Sequence, residues 1–289
     1  MTWVAWRQQR LLTLVSLALV ALVGAGMAAL WADLSSVLPA DPAVLDERYG
    51  DLLGYVPFVM LAMPVLLGMF AGAPVFAREF EQGTHVFGLT QSIGRTRWWA
   101  TKLLVAGLPV TVAMALLGLL NAKALGPLSS ILTSRLQTPM FESQGYVLGA
   151  YTAVAFALGA TAGLVVRSTL GAMAITLAGY VGVLAAVANL GRPHYAGTEY
   201  SASGAVEPGA WRVEIGYLDA QGATTTFAGQ KCGETPIAQC LLDQGVAGRF
   251  ARYHPVSQFW EFQGAESGIV VLVVGVLVAV SAWAVRRVH

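Results

Sequence analysis

Residues 145–190 read GYVLGAYTAVAFALGATAGLVVRSTLGAMAITLAGYVGVLAAVANL, and Arg167 is their sole charged side chain. On either side of that arginine, residues 145–166 and 168–190 are each long enough to cross about 30 Å of hydrocarbon at 1.5 Å per residue. A helix satisfies its own backbone in lipid, so the stretch predicts two membrane-spanning helices in succession. Working outward, four more charge-free stretches of similar length lie at about 11–31, 53–77, 103–121 and 268–285. The 289 residues are 56% hydrophobic and 11% charged, with a formal net charge of +1 and a mean hydropathy of +0.63. Such values lie outside the range of soluble domains and predict an all-α polytopic membrane protein with six transmembrane helices.

Basic residues set the expected orientation. Arg7, Arg10, Arg78, Arg95, Arg97, Lys102, Arg167, Arg286 and Arg287 fall on one side of this layout, facing only Glu79 and Glu81. The other side collects Asp33, Asp41, Asp46, Glu47 and Asp51 after the first span, and most of the remaining acids before the last. Short cytoplasmic segments carry the lysine and arginine excess, so both termini are expected in the cytoplasm of a multi-pass plasma-membrane protein. Arg7 and Arg10 ahead of an apolar run raise the alternative of a signal peptide. Residues 11–30 are too long for a signal's apolar core, and Trp31 with Asp33 reads as an exit from the membrane. Ahead of that run, MTWVAWRQQR places Trp3, Trp6, Arg7 and Arg10 at helical spacing, which predicts an N-terminal interfacial helix. An aromatic belt anchoring the first span is the alternative.

The layout divides the chain into residues 1–190 with five spans, residues 191–267 outside, and residues 268–289 with the last span and a tail. Both cysteines, Cys232 and Cys240, fall in the outer segment. In an oxidising compartment they predict a disulfide, two free thiols being the alternative. A zinc site is not expected, because His194 and His254 are remote in sequence and no second cysteine pair exists. Alternation around Trp211, Val213, Ile215 and Tyr217, followed by Gln221 and Gly222, predicts a small hairpin in an extracellular domain. Phe259, Trp260 and Phe262 suit a short helix dipping into the outer leaflet, or interfacial anchors on a surface loop. Within the spans, Gly68 with Gly72 and Gly159 with Gly163 form GxxxG pairs, read as general close packing. Pro57, Pro64 and Pro74 predict kinks in the second span.

Absent chemistry narrows the function. The chain holds no GxxxxGK[ST] phosphate loop, no HExxH and no GxSxG, so neither ATP binding by that loop nor those hydrolytic chemistries are expected of it. No cofactor or metal is expected in the chain, and no nucleic-acid partner. The six charge-free windows contain no ionisable residue at depth, which disfavours a proton- or sodium-coupled carrier. Energy for uphill movement is expected from another protein.

One polar stretch breaks the pattern. Residues 77–102, AREFEQGTHVFGLTQSIGRTRWWATK, lie between the second and third spans. Thr84 can cap a short helix, Val86, Leu89 and Ile93 recur on one face, and Gly94 can end it. The opposite face presents His85, Thr90, Gln91 and Ser92. Arg78, Glu79 and Glu81 are placed to pair with Arg95, Arg97 or Lys102 and brace this helix against the two spans. A charged loop serving only topology is the alternative.

The stretch PVLLGMFAGAPVFAREFEQGTHVFGLTQSIGRTRWWATKLL resembles the second span, coupling helix and third span of ABC-2-type transporter permeases, in particular those of high-GC bacteria. The segments TWVAWRQQR and YHPVSQFWEFQGAES are similar to others of that group. The resemblance implies a transmembrane subunit of an ABC exporter, paired with a second permease subunit, identical or different, above separate ABC ATPase subunits that bind ATP and Mg. It implies that Arg78, Glu79, Glu81, Gly83, Thr84, His85, Thr90, Gln91, Ser92, Arg95 and Arg97 form the coupling contact with the ATPase. It also implies a re-entrant element before the sixth span, at Phe259, Trp260 and Phe262. An apolar route along spans 1, 2 and 5 would suit hydrophobic or amphipathic cargo: a lipid, peptide or antibiotic. The alternative is a non-transporting membrane immunity or sensor protein that binds through its extracellular domain.

Overall fold

The computed structural model describes residues 2–37, 42–84, 94–126, 134–232 and 236–287. Helix α1 is Thr2–Val37 and α2 is Pro42–Leu67; a π-helical turn at Gly68–Gly72 leads from α2 into α3, Pro74–Glu81. Helices α4 (Arg95–Leu125) and α5 (Val147–Val166) follow, then α6 (Thr169–Ala186), prolonged by a π turn and a 3-10 turn to His194. The short α7 is Ile237–Asp243 and α8 is Phe259–Arg286. Six helical stretches are long and apolar enough to cross a membrane: Thr2–Val37, Tyr49–Glu81, Arg95–Leu125, Val147–Val166, Thr169–His194 and Val256–Arg286.

Helix α5 is the spine. It is apolar around its circumference and almost wholly buried, as a helix with neighbours on every side must be. Its small residues set the packing distance. A Cβ on Gly159 would sit 2.4 Å from the Gly68 carbonyl oxygen, and one on Gly163 would sit 2.4 Å from that of Ala73. Reciprocally, a Cβ on Gly68 would meet the Ala155 carbonyl at 2.5 Å and one on Gly72 that of Phe156 at 2.8 Å. The two GxxxG pairs therefore face each other within one chain, backbone on backbone. The π turn lies between Pro64 and Pro74, and Ala73 N–H closes it on the Gly68 carbonyl at 2.9 Å. Pro74, which has no N–H to give, opens α3.

Two sequence expectations change. The N-terminal segment is not a separate interfacial helix, because α1 runs unbroken from Thr2 to Val37 with no proline to interrupt it. The last span does not begin at 268, nor does a separate re-entrant helix precede it among the described residues. Helix α8 is continuous from Phe259, and Glu266, which ended the charge-free window, is neutralised in place by Arg192. Residues 134–144, which lie between the third and fourth charge-free stretches, are sunk into the bundle: Leu136, Met140, Phe141, Glu142, Ser143 and Gln144 are all buried. Non-helical backbone can lie there because protein groups satisfy it. Gly145 N–H donates to the Gly118 carbonyl at 2.8 Å, and Asn121 Nδ2 donates to the Ser143 carbonyl at 2.7 Å. Gln263 Nε2 donates to the Gln144 carbonyl at 3.0 Å, and Gln263 Oε1 accepts from Val147 N–H at 3.1 Å. Gly145 has φ +70, and a Cβ on it would fall 2.3 Å from Gln263 Oε1, so glycine is required twice over.

Between α6 and α8 lies an antiparallel sheet of order β1-β4-β2-β3, with β1 at Glu199–Ser201, β2 at Trp211–Leu218, β3 at Thr224–Thr225 and β4 at Gly248–His254. The hairpin of β2 and β3 turns at Asp219, whose Oδ1 accepts from Gln221 N–H and Ala223 N–H at 2.9 and 2.8 Å. Disulfide Cys232–Cys240 ties the segment after β3 to α7. The sheet docks on the start of α8. Trp211 lies 5.3 Å from His254 between ring centres, and Phe262 lies 6.4 and 5.0 Å from the two.

Candidate functional site

At one end of the bundle α3 and α4 meet the end of α5, the start of α6 and the end of α8; we term this the elbow end. Lys102 on α4 is 2% exposed and donates to Glu79 on α3. Its ammonium also stands 4.8 Å from the ring centre of Trp98, which packs on Phe76. Glu81, the last residue of α3, reaches across to α6: its Oε1 accepts from Thr169 N–H at 2.7 Å and its Oε2 from Thr169 Oγ1 at 2.8 Å. A carboxylate at that position answers both an orphan donor and the positive end of the helix dipole. Ser168 completes the cap, its Oγ accepting from Gly171 N–H at 3.4 Å. The turn from α5 to α6 is tight because Arg167 adopts φ 58, and its guanidinium covers the Phe80 ring at 5.1 Å. Arg95 Nη1 donates to the Arg286 carbonyl at 3.5 Å, and Trp99 Nε1 to Ser281 Oγ at 2.8 Å, so α4 is tied to α8.

Of the pairings expected for Arg78, Glu79 and Glu81, the bond from Lys102 to Glu79 forms, whereas Glu81 caps α6. Arg78, Thr84 and Arg97 are exposed, and Gly83 takes φ +68 just past the end of α3. His85, Thr90, Gln91 and Ser92, with the coupling helix expected near 84–93, lie outside the described residues beyond Thr84. Phe259 and Phe262 are buried in the core beneath the sheet, while Trp260 is half exposed and stacks on Tyr146 at 6.1 Å. These rings belong to the first turns of the last spanning helix.

The opposite end holds a cluster the sequence reading did not foresee. Arg192, in the 3-10 turn after α6, is sealed between Glu142 of the buried segment and Glu266 of α8; the three are 2%, 1% and 0% exposed. Arg192 Nη2 donates to Glu142 Oε1 at 2.6 Å and to Glu266 Oε1 at 2.7 Å, and its Nε donates to Glu266 Oε2 at 2.9 Å. Tyr151 OH of α5 donates to Glu266 Oε1 at 2.8 Å, and Thr138 Oγ1 donates to Glu142 Oε1 at 2.6 Å. The Phe141 ring lies 4.2 Å from the guanidinium carbon. Just outside the span, burial above all, and then the Glu266 charge, pushes the Tyr195 phenol well above its usual range. The signal for this cluster was weak, since its members lie 50 and 74 positions apart. Among the described residues no group of three or more His, Cys, Asp or Glu is arranged to hold a metal.

Six spanning helices with a polar elbow between the second and third define a polytopic helical membrane protein. Residues 10–192 match the family model described as ABC-2 membrane transporter related, and the chain belongs to that family. The matched region covers the first five spans and the elbow and ends at Arg192, short of the sheet and α8. The match is to the family and not to its high-GC bacterial group. No curated protein and no solved structure matches the chain. Membership identifies a permease-type component of membrane transport, of a kind that generally works with an ABC ATPase subunit, and does not favour the immunity or sensor reading.

Proposed function

We propose that the chain is the permease subunit of an ABC exporter and that its elbow receives the work of ATP hydrolysis from a separate ATPase subunit facing the cytoplasm. ATP and Mg belong to that partner, and a second permease subunit completes the pathway. The observation that carries this reading is the set of ties at the elbow: Glu81 to α6, Glu79 to α4 through Lys102, and Arg95 to the end of α8. A push on residues following α3 therefore bears on three spanning helices together. Such an arrangement suits force transmission, because polar contacts and packed helices move as units between discrete arrangements. Exposed apolar residues on α1, α2 and the π turn after it, including Leu11, Leu22, Phe58 and Phe70, suit a lipid, peptide or antibiotic cargo of hydrophobic or amphipathic character.

The test is affinity purification of the full chain from its native membrane, followed by ATPase assays of any ABC ATPase that co-purifies. Recovery of the complex, and loss of permease-stimulated hydrolysis in Glu81→Ala at unchanged expression, is the expected result. An ATPase that never co-purifies, or whose rate ignores the permease, would refute the reading.

A further inference from the structure

A pocket of about 250 Å3 opens at the elbow end between α1, α3 and α4. Gln9 lines it, is only 7% exposed, and among the described residues has no hydrogen-bond partner for either Nε2 or Oε1. Burying an amide with nothing to bond is costly, and an orphan group of this kind asks for a ligand. The remaining polar lining includes Thr13, Arg78, Glu79 and Lys102. Two cations stand against one carboxylate, so the pocket carries a net positive charge even with Lys102 bonded to Glu79. Arg78 is exposed at the mouth, and a guanidinium matches a phosphate in bidentate fashion. Gln8, Gln82 and Thr84 add neutral polar groups, and Leu12, Ala71, Val75 and Ala106 form an apolar strip of wall that leads along the helices.

We infer that this pocket binds the phosphate headgroup of an anionic membrane phospholipid. Its depth along the helices fits: Gln9 and Lys102 each lie two turns inside their helix ends, where the apolar spans give way to polar residues. Trp3 and Trp6, exposed on the turns of α1 just before Gln9, mark the headgroup layer. Basic pockets between spanning helices at that level select anionic headgroups. A zwitterionic lipid would leave the net charge uncompensated, and a free phosphate would leave the apolar wall unused. The assignment needs only that the elbow end faces a headgroup layer, and so stands apart from the proposed coupling to an ATPase.

The experiment places the full chain in nanodiscs of phosphatidylcholine alone or with a fifth phosphatidylglycerol, and reads thermal unfolding and the lipid retained in native mass spectrometry. The expected result is preferential retention of phosphatidylglycerol and a higher unfolding temperature in its presence. Gln9→Glu, which sets a carboxylate against the phosphate, is expected to weaken retention at least tenfold. Gln9→Leu removes the unbonded amide and keeps the fold, so loss of lipid selectivity in a variant that unfolds at or above the wild-type temperature separates binding from folding. Equal retention of both lipids by the wild type, or unchanged selectivity in both variants, would overturn the inference. So would inorganic phosphate in detergent reproducing the full stabilisation, since the ligand would then be the free anion.

Discussion

At the elbow end, Glu81 and Arg95 keep one side in solvent and reach across to a neighbouring helix; at the sheet end, Arg192, Glu142 and Glu266 are closed off together. Solvent screens the first set, so each tie contributes little to stability and can be exchanged at low cost. The second set has lost its water. Its mutual attraction and hydrogen bonds must offset several kcal/mol of desolvation per ion, which makes it costly to disturb one member at a time. Lys102 with Glu79 is intermediate, with a buried cation and a carboxylate that is 14% exposed. The bundle is thus locked at one end and open to rearrangement at the other, which is the distribution expected if one end is acted on and the other holds.

This contrast is open to direct attack, and the largest effect is expected at the sheet end. Arg192→Met leaves two buried carboxylates without their cation and is expected to cost about 3–5 kcal/mol, read as a lowered unfolding temperature in detergent. Adding Glu142→Gln and Glu266→Gln to the same chain is expected to restore most of that loss; a single variant that unfolds like the wild type would show the cluster to be hydrated. Replacing Cys232 and Cys240 by serine opens a short loop and is expected to cost about 2.5 kcal/mol in the chain-entropy account. Limited proteolysis should show faster cleavage around α7 with the spanning helices unaffected. At the elbow, Lys102→Met is expected to lower stability by about 2 kcal/mol, because it removes a charged hydrogen bond whose acceptor retains some access to water. Glu81→Gln should scarcely move the unfolding temperature, and a large loss there would contradict the exposed, exchangeable character assigned to this end.

The sequence showed its spans through uninterrupted apolar length, a local property, and six of them are found. Hairpin chemistry at Asp219 to Ala223 and the disulfide over eight positions were equally local. The elbow residues stood out because Arg78, Glu79 and Glu81 are a polar run in an oily chain. What was not legible depended on distance. Gly68 and Gly159 advertised close approach but not that each was the other's partner. Glu266 and Arg192 ended charge-free windows and so looked like boundary residues, while Glu142 looked like part of a loop. Because Arg192 bonds to both acids, the helices on either side continue past the point where a charge count stops them. The burial of residues 134–144 was hidden for the same reason: their backbone is satisfied by Asn121 and Gln263, which no window containing them includes.

Helix α8 acquires its meaning from what is fastened along it. Phe259 packs on Phe141 of the buried segment, Phe262 holds the sheet, Glu266 sits in the sealed cluster, Ser281 accepts from Trp99, and the Arg286 carbonyl accepts from Arg95. Its 28 residues make a rod about 42 Å long with no proline along it. Like a drive shaft keyed at both ends, it joins the sheet to the contacts made beside Arg95 through one continuous helix.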